Sequence, residues 1–404
     1  MTTPMALDAA LAGASGRDDY PDHTYTYLFC DLLTDQLLAE LPLSGVQYST
    51  ALNGIGTLRA LVPYNDETLL LDPENATTPG RTAVYVDRDG VIVWGGVLWT
   101  RTIAKGGKSI QASTFESYFQ RRYVRTTLST DTSLILDTDY VPDGQRLYAD
   151  QRFIVWCLFR YAAMLPGGDI RIDTSNLSGS GGATGVGRNI SYFGYERPEI
   201  YAAIQSLAGA EDGFDWGIDV GWNPVANNVA PTRYRRARLW FPQRGRSADE
   251  SGLVFTKGGP AGNILDFDWP EDGTSIATDE TGLGAGEGEA KLIASQQSAD
   301  MLASGWPLLE DVQTYPDVVD LAQLQGLANA GLNARSRASV QPWFDVVADG
   351  DPAFGSYSVG DSALFVIDPE PRMPYGLEVE LRITGIDNAA RRGPETVRLT
   401  CAAV

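Results

Sequence analysis

Apolar and polar positions begin to alternate at Tyr25. Tyr25-Thr-Tyr-Leu-Phe-Cys30 reads as a strand, residues 31–36 supply turn residues, and residues 37–43 read as the returning strand. Residues 82–86 and 91–100 flank Asp87-Arg-Asp89-Gly90. Asp-Gly suits a two-residue hairpin turn because both of its residues tolerate positive φ. Residues 109–114 and 123–128 continue the alternation. The stretch 23–128 is therefore expected to be a small β-domain, a barrel or a barrel-like sandwich. Residues 1–22, rich in Ala, Gly and Asp, read as a flexible N-terminal arm.

The period lengthens in the middle of the chain. Residues 150–165 carry Phe153, Val155, Trp156, Phe159, Ala162 and Ala163 at helical spacing and stop at Pro166-Gly167-Gly168. The Gly/Ser stretch 178–187 reads as an exposed loop with no assigned role. Arg197-Pro198-Glu199 opens a second helix to about residue 210, with proline early in its first turn and glutamate near its positive end. Residues 214–220 and 234–241 alternate like half-buried strands, so 129–250 is expected to be an α+β domain.

Residues 251–344 hold short strands near 253–256 and 264–269, a Gly-rich turn at 282–288 and the longest helical candidate, 320–339. Leu321, Leu324, Leu327, Ala328, Leu332 and Ala338 lie on or near one face of that helix, which Gly326 and Gly331 weaken. Residues 345–404 return to strands at 362–367, 377–386 and 396–402. With 251–280 they are expected to complete a second barrel-like domain. The predicted class is mainly β, with two small barrel-like domains, an α+β middle domain and one longer helix.

Composition narrows the function. At roughly 150 residues per domain, 404 residues suggest two to four domains. The 52 acidic residues outnumber 31 basic ones for a net charge of −21, which repels phosphates and disfavours stable nucleic-acid binding. The same charge keeps a concentrated protein in solution. Cys30, Cys157 and Cys401 are far apart with no CxxC pair, which argues against a disulfide framework or a zinc site. They read as buried thiols made in a reducing cytoplasm. No basic segment precedes an apolar one at the start, and the densest apolar run, residues 153–159, is far short of a membrane span. The expectation is a soluble chain made in a cytoplasm, with no membrane insertion.

Catalytic candidates are sparse. His23 is the only histidine, so every Ser–His–Asp, Cys–His or His-rich metal scheme would need it, and it reads as an exposed bystander. Lys105-Gly-Gly-Lys108-Ser109 holds the end of a phosphate loop, but Thr102 stands where the leading glycine belongs and no helix follows. A basic hairpin turn is the better reading. Gly282, Gly284, Gly286 and Gly288 lie beside Glu287 and Glu289, which would repel phosphate. Asp137 to Tyr148 resembles a calcium loop loosely, with its glycine two places late and tyrosine at the twelfth position. The pairs Asp266 with Asp268 and Asp215 with Asp219 share strand faces, and such pairs hydrolyse sugars when held about 5–9 Å apart. No cofactor or metal is expected. Arginines cluster at Arg121, Arg122 and Arg125, and again at Arg233, Arg235, Arg236, Arg238, Arg244 and Arg246. In an acidic chain these suit docking to acidic faces of neighbouring copies, or else a solvated strand face.

Three passages carry a resemblance. They are Tyr27 to Pro42 with Gly45-Val-Gln-Tyr-Ser and Gly56-Thr-Leu-Arg-Ala60; Gly282 to Ala294; and Tyr357 to Val366 with Gly376 to Ile386 and Val397-Arg-Leu-Thr400. Together, over about residues 24–403, the chain resembles minor tail proteins of actinobacteria-infecting siphophages, of the baseplate-hub kind. The resemblance implies a structural virion protein at the tail tip, synthesised in the host cytoplasm. It implies a homotrimeric ring whose two tube-like barrels per copy adapt six-fold to three-fold symmetry. It also implies contacts with a distal tail protein, other minor tail proteins or a central fibre, and the tape-measure protein, with DNA only in transit. No active site is carried across. An acidic ring would let DNA slide without sticking, which places the arginines at protein contacts. Two alternatives stand beside the hub: a tail-associated cell-wall hydrolase using paired carboxylates, and a peripheral receptor- or carbohydrate-binding module.

Overall fold

The computed structural model describes residues 23–65, 71–131, 149–178, 183–224, 231–259, 262–315, 318, 320–389 and 395–404. The expected N-terminal arm, the calcium-like loop apart from its surroundings, and the centre of the Gly/Ser loop lie outside the described residues. The chain divides into two compact units, 1–266 with 344–404, and 267–343.

Alternation in the first β stretch builds β1 (Tyr25–Asp31), β2 (Leu37–Glu40), β3 (Ser44–Ala51), β4 (Thr57–Pro63), β5 (Thr82–Arg88), β6 (Val91–Ala104) and β7 (Gly107–Thr114). Their order is β2-β1-β5-β6-β7-β4-β3, antiparallel throughout. At the β5–β6 turn Asp89 and Gly90 take φ of 54° and 84°, as an Asp-Gly hairpin requires. Inward side chains, among them Phe29, Leu58, Val84, Trp94, Leu98 and Ile110, form one buried core.

The strand expected at 123–128 is largely absent. A 3-10 turn, Phe115–Arg121, precedes only the two-residue β8 (Leu128–Ser129). Phe115 and Phe119, four apart, are both buried, and Phe119 meets Phe159 edge-on with centroids 4.7 Å apart. Beyond the turn the backbone bonds to the chain near Pro198, with Val124 N donating to Pro198 O at 2.9 Å. Those contacts draw the segment away from the sheet.

The middle region is α+β. The helix Gln151–Met164 begins at Asp150, whose side chain accepts from Arg152 N at 2.9 Å. The helix Ile200–Ala208 starts two residues after Pro198, so the proline precedes its first turn instead of occupying it. Beside the helices lie β9 (Ile172–Asp173), β10 (Ser191–Tyr192), β11 (Asp215–Trp222) and β12 (Arg233–Trp240). β11 and β12 pair antiparallel, and β12 pairs β9 in parallel. Ile154, Leu158, Phe159, Ile204, Leu207 and Trp216 join in one apolar cluster.

After β13 (Val254–Lys257) and β14 (Ile264–Asp268) comes the 267–343 unit. It holds β15 (Glu271–Asp272), β16 (Asp279–Leu283), β17 (Ile293–Gln297), β18 (Glu310–Thr314) and β19 (Ser339–Val340). β16 lies between β17, antiparallel, and β18, parallel. The helix Leu321–Arg335 buries Leu324, Ala328 and Leu332. It stops four residues short of its predicted end because Ser339 and Val340 pair with β15.

The chain closes with β20 (Trp343–Val347), β21 (Ser362–Ile367), β22 (Leu377–Ala389) and β23 (Thr396–Ala403). These strands run in the order β14-β20-β23-β22-β21-β13. β22 forks: Leu377 to Arg382 pair with β21, while Gly385 to Ala389 pair with Ala51 to Gln47 of β3. β23 follows its other edge. The two β regions are thus lobes of one 13-stranded sheet. The mainly β expectation holds, and no closed barrel forms among the described residues. Between β13 and β14, Asn263 N donates to Thr256 O at 3.0 Å.

Candidate functional site

The chemistry of the chain concentrates in arginine–carboxylate networks that tie its regions together. The first lies where the two lobes meet. His23, read from sequence as an exposed bystander, instead sits between Asp89 (Nδ1 to Oδ2, 2.5 Å) and Asp349 (Nε2 to Oδ1, 2.6 Å). Both ring nitrogens face carboxylates, so both contacts are satisfied together only when both nitrogens carry hydrogen. Burial opposes that charge, but the hydrogen bonds to Asp89 and Asp349 outweigh it and Arg88, and the pKa rises above 6.5. Arg88 Nη2 donates to Glu395 at 2.9 Å and to Asp349 at 3.4 Å. Glu395 also accepts from Tyr25 OH and from Asn388 Nδ2, the latter at 2.8 Å, and Asn388 reaches Tyr48 OH at 3.1 Å. Burial works against the Glu395 carboxylate, yet these donors hold its pKa below the usual range.

The second network receives the second arginine cluster. Arg235 is 2% exposed. Its Nε donates to Tyr85 OH (2.6 Å), Nη1 to Leu32 O (2.8 Å) and Ile170 O (2.6 Å), and Nη2 to Asp35 (2.8 Å). Its plane also lies over Phe115 at 4.5 Å. Arg233 donates to the carboxylate and carbonyl of Asp35 and lies over Tyr85 and Trp222. Arg236 bonds Asp173 at 3.1 Å, and Arg238 pairs with Asp219 at 3.4 Å. The Arg235 guanidinium is therefore engaged within the chain, and Arg238, at 37% side-chain exposure, is the most open of these four.

The third network centres on buried Asp215, which accepts from Asn53 Nδ2 (2.6 Å), Arg244 N (2.6 Å) and the Arg382 guanidinium. Asp219 pairs with Arg238 and Arg244. Asp266 pairs with Arg372 at 2.9 Å. Each proposed carboxylate pair thus has an arginine on at least one member. Glu116 is also buried, and burial raises its pKa, although its Oε1 accepts from Ile218 N at 2.7 Å. Lys108, from the phosphate-loop lookalike, pairs with Glu74 beside the β6–β7 turn.

The first arginine cluster is placed differently. Arg121 and Arg125 are exposed, with Arg121 over Trp99 at 5.6 Å. Arg122 is half-buried and donates to Ala162 O at 2.7 Å. Sequence reading missed Asp35, Tyr85, Asp349 and Glu395, because their partners lie far along the chain. Asn53-Gly54 offered one local signal, a turn dipeptide, and Asn53 does take φ of 50°. Among the cysteines, Cys30 and Cys401 are buried and Cys157 only half so. Burial pushes the Cys30 thiol up to about 12. No described helix is long and apolar enough to cross a membrane.

No protein-family model and no curated protein matches the chain. Solved structures do. The tail protein from Neisseria meningitidis MC58 superposes with a TM-score of 0.50 at 12% identity, over 93% of this chain and 96% of that one. The 43 kDa tail protein of prophage MuSo2 from Shewanella oneidensis gives 0.52 at 12% identity, over 94% and 97%. A chain of the half-lidded Francisella PdpA-VgrG complex gives 0.50 at 9% identity, over 98% of this chain and 60% of that one. At these identities the likeness establishes the fold: the chain is built like phage tail proteins.

Proposed function

We propose that the chain is a structural hub of a phage tail tip, in a siphophage of actinobacteria, and not an enzyme. Three copies form a ring at the end of the tail tube, each contributing two tube-like lobes to bring six-fold to three-fold symmetry. The ring contacts a distal tail protein, other minor tail proteins or a central fibre, and the tape-measure protein, and passes DNA without holding it. The observation that carries this reading is the forked strand β22, which joins two β lobes into one sheet in a single chain. A tail-protein fold spanning nearly the full length of two relatives supports it. The domain limits 1–22, 23–128, 129–250, 251–344 and 345–404 remain part of the proposal, as does docking through Arg121, Arg122 and Arg125. Antibody labelling of intact particles tests the placement. Gold at the tail tip is expected, and labelling of the head, along the tail shaft or nowhere would contradict it.

A further inference from the structure

Residues 121–127 and 193–199 come together on the surface of the larger unit. Gly194 N donates to Thr127 Oγ1 at 3.2 Å, Arg197 Nη1 donates to Arg125 O at 3.2 Å, and Tyr123 forms a backbone bridge with Glu199. Tyr195 is 78% exposed and stacks on Phe193 with centroids 5.3 Å apart. Tyr123 is 45% exposed, and Arg121, Arg125 and Arg197 are exposed in the same two segments, with Glu196 the exposed carboxylate beside them. Arg197 takes φ of 54°, a conformation a non-glycine residue rarely adopts without surrounding support. Tyrosine and arginine together are the residues that dominate the centres of protein interfaces.

The 267–343 unit of the same chain carries the opposite charge. Residues 267–343 contain twelve Asp and Glu against three Lys and Arg. Glu271, Asp272, Glu287, Glu289 and Glu310 are exposed there. Trp306 and Leu308, near Glu310 in sequence, are 44% and 53% exposed. We infer that the aromatic and cationic patch of one copy docks on the acidic 267–343 unit of a second copy. This rests on the self-assembly in the hub reading and names its contact. Because the two surfaces differ, the contact is head-to-tail, the kind that closes a ring.

The test replaces Tyr195 with a photo-reactive residue, Tyr195→benzoylphenylalanine, in the full chain. Ordinary and heavy-isotope chains are mixed at concentrations where light scattering reads the oligomer, then irradiated. Cross-links between light and heavy chains that land in 267–343 are expected. The exposed double variant R121E/R125E should weaken association about tenfold or more while leaving the melting temperature in place. If the chains associate but the cross-link is missing, intramolecular or elsewhere, this docking is wrong and the ring reading stands. If the chain stays monomeric at every concentration, both fail.

Discussion

The Arg235 guanidinium donates four hydrogen bonds within the chain, so removing it leaves Asp35, Tyr85 and two carbonyls short of a donor at once. Breaking a buried ion pair on one side typically costs about 3–5 kcal/mol. Arg235→Ala should lower unfolding free energy by about that much in a denaturant titration, whereas exposed Arg121→Ala should stay within about 0.5 kcal/mol. His23 gives a second residue-scale expectation. Its folded pKa lies above 6.5, so its contribution is fully present below the unfolded pKa and is lost as pH rises through the folded one. The charged groups facing it are Asp89, Asp349 and Arg88, with Glu395 behind Arg88. The gap in melting temperature between the natural chain and His23→Gln should therefore narrow as pH rises above about 6.5. A gap that widened would reverse the sign of the linkage. These contacts were not legible in the sequence. His23 and Asp349 are hundreds of positions apart, and only the fold brings them within 2.6 Å.

At the scale of elements, pattern was a good guide where burial is local. The Asp-Gly hairpin and the helix after Asp150 form where alternation and helical spacing place them. Prediction failed where distant contacts compete, as at 123–128, where Phe119 packs into the middle region's core and Val124 bonds to Pro198. The helix Leu321–Arg335 separates its two glycines. A Cβ at Gly326 meets nothing within 4 Å, while one at Gly331 would stand 2.6 Å from Glu280 Oε1. Gly326→Ala should stabilise by about 0.4–1 kcal/mol through the unfolded chain. Gly331→Ala should destabilise, because it displaces a fully buried carboxylate paired with Arg335 at 3.0 Å. Circular dichroism melts of the two variants should move in opposite directions.

For the whole molecule, the sequence carried the class and the two β regions but not their joining. No local signal marks β22 as a strand shared between β21 and β3, since a fork depends on which edges meet in space. The aromatic interior of the second lobe follows from that assembly: Phe344 stacks on Phe365 at 4.2 Å, and Phe365 on Phe255 at 5.2 Å. Phe365→Ala should cost about 3–5 kcal/mol, read by denaturant unfolding. The most direct test of the hub assignment is an electron-microscopic reconstruction of the tail tip on intact particles. Three copies ringing the tail axis, presenting six β lobes, are predicted. A single copy, or copies hung at the periphery away from the axis, would contradict it.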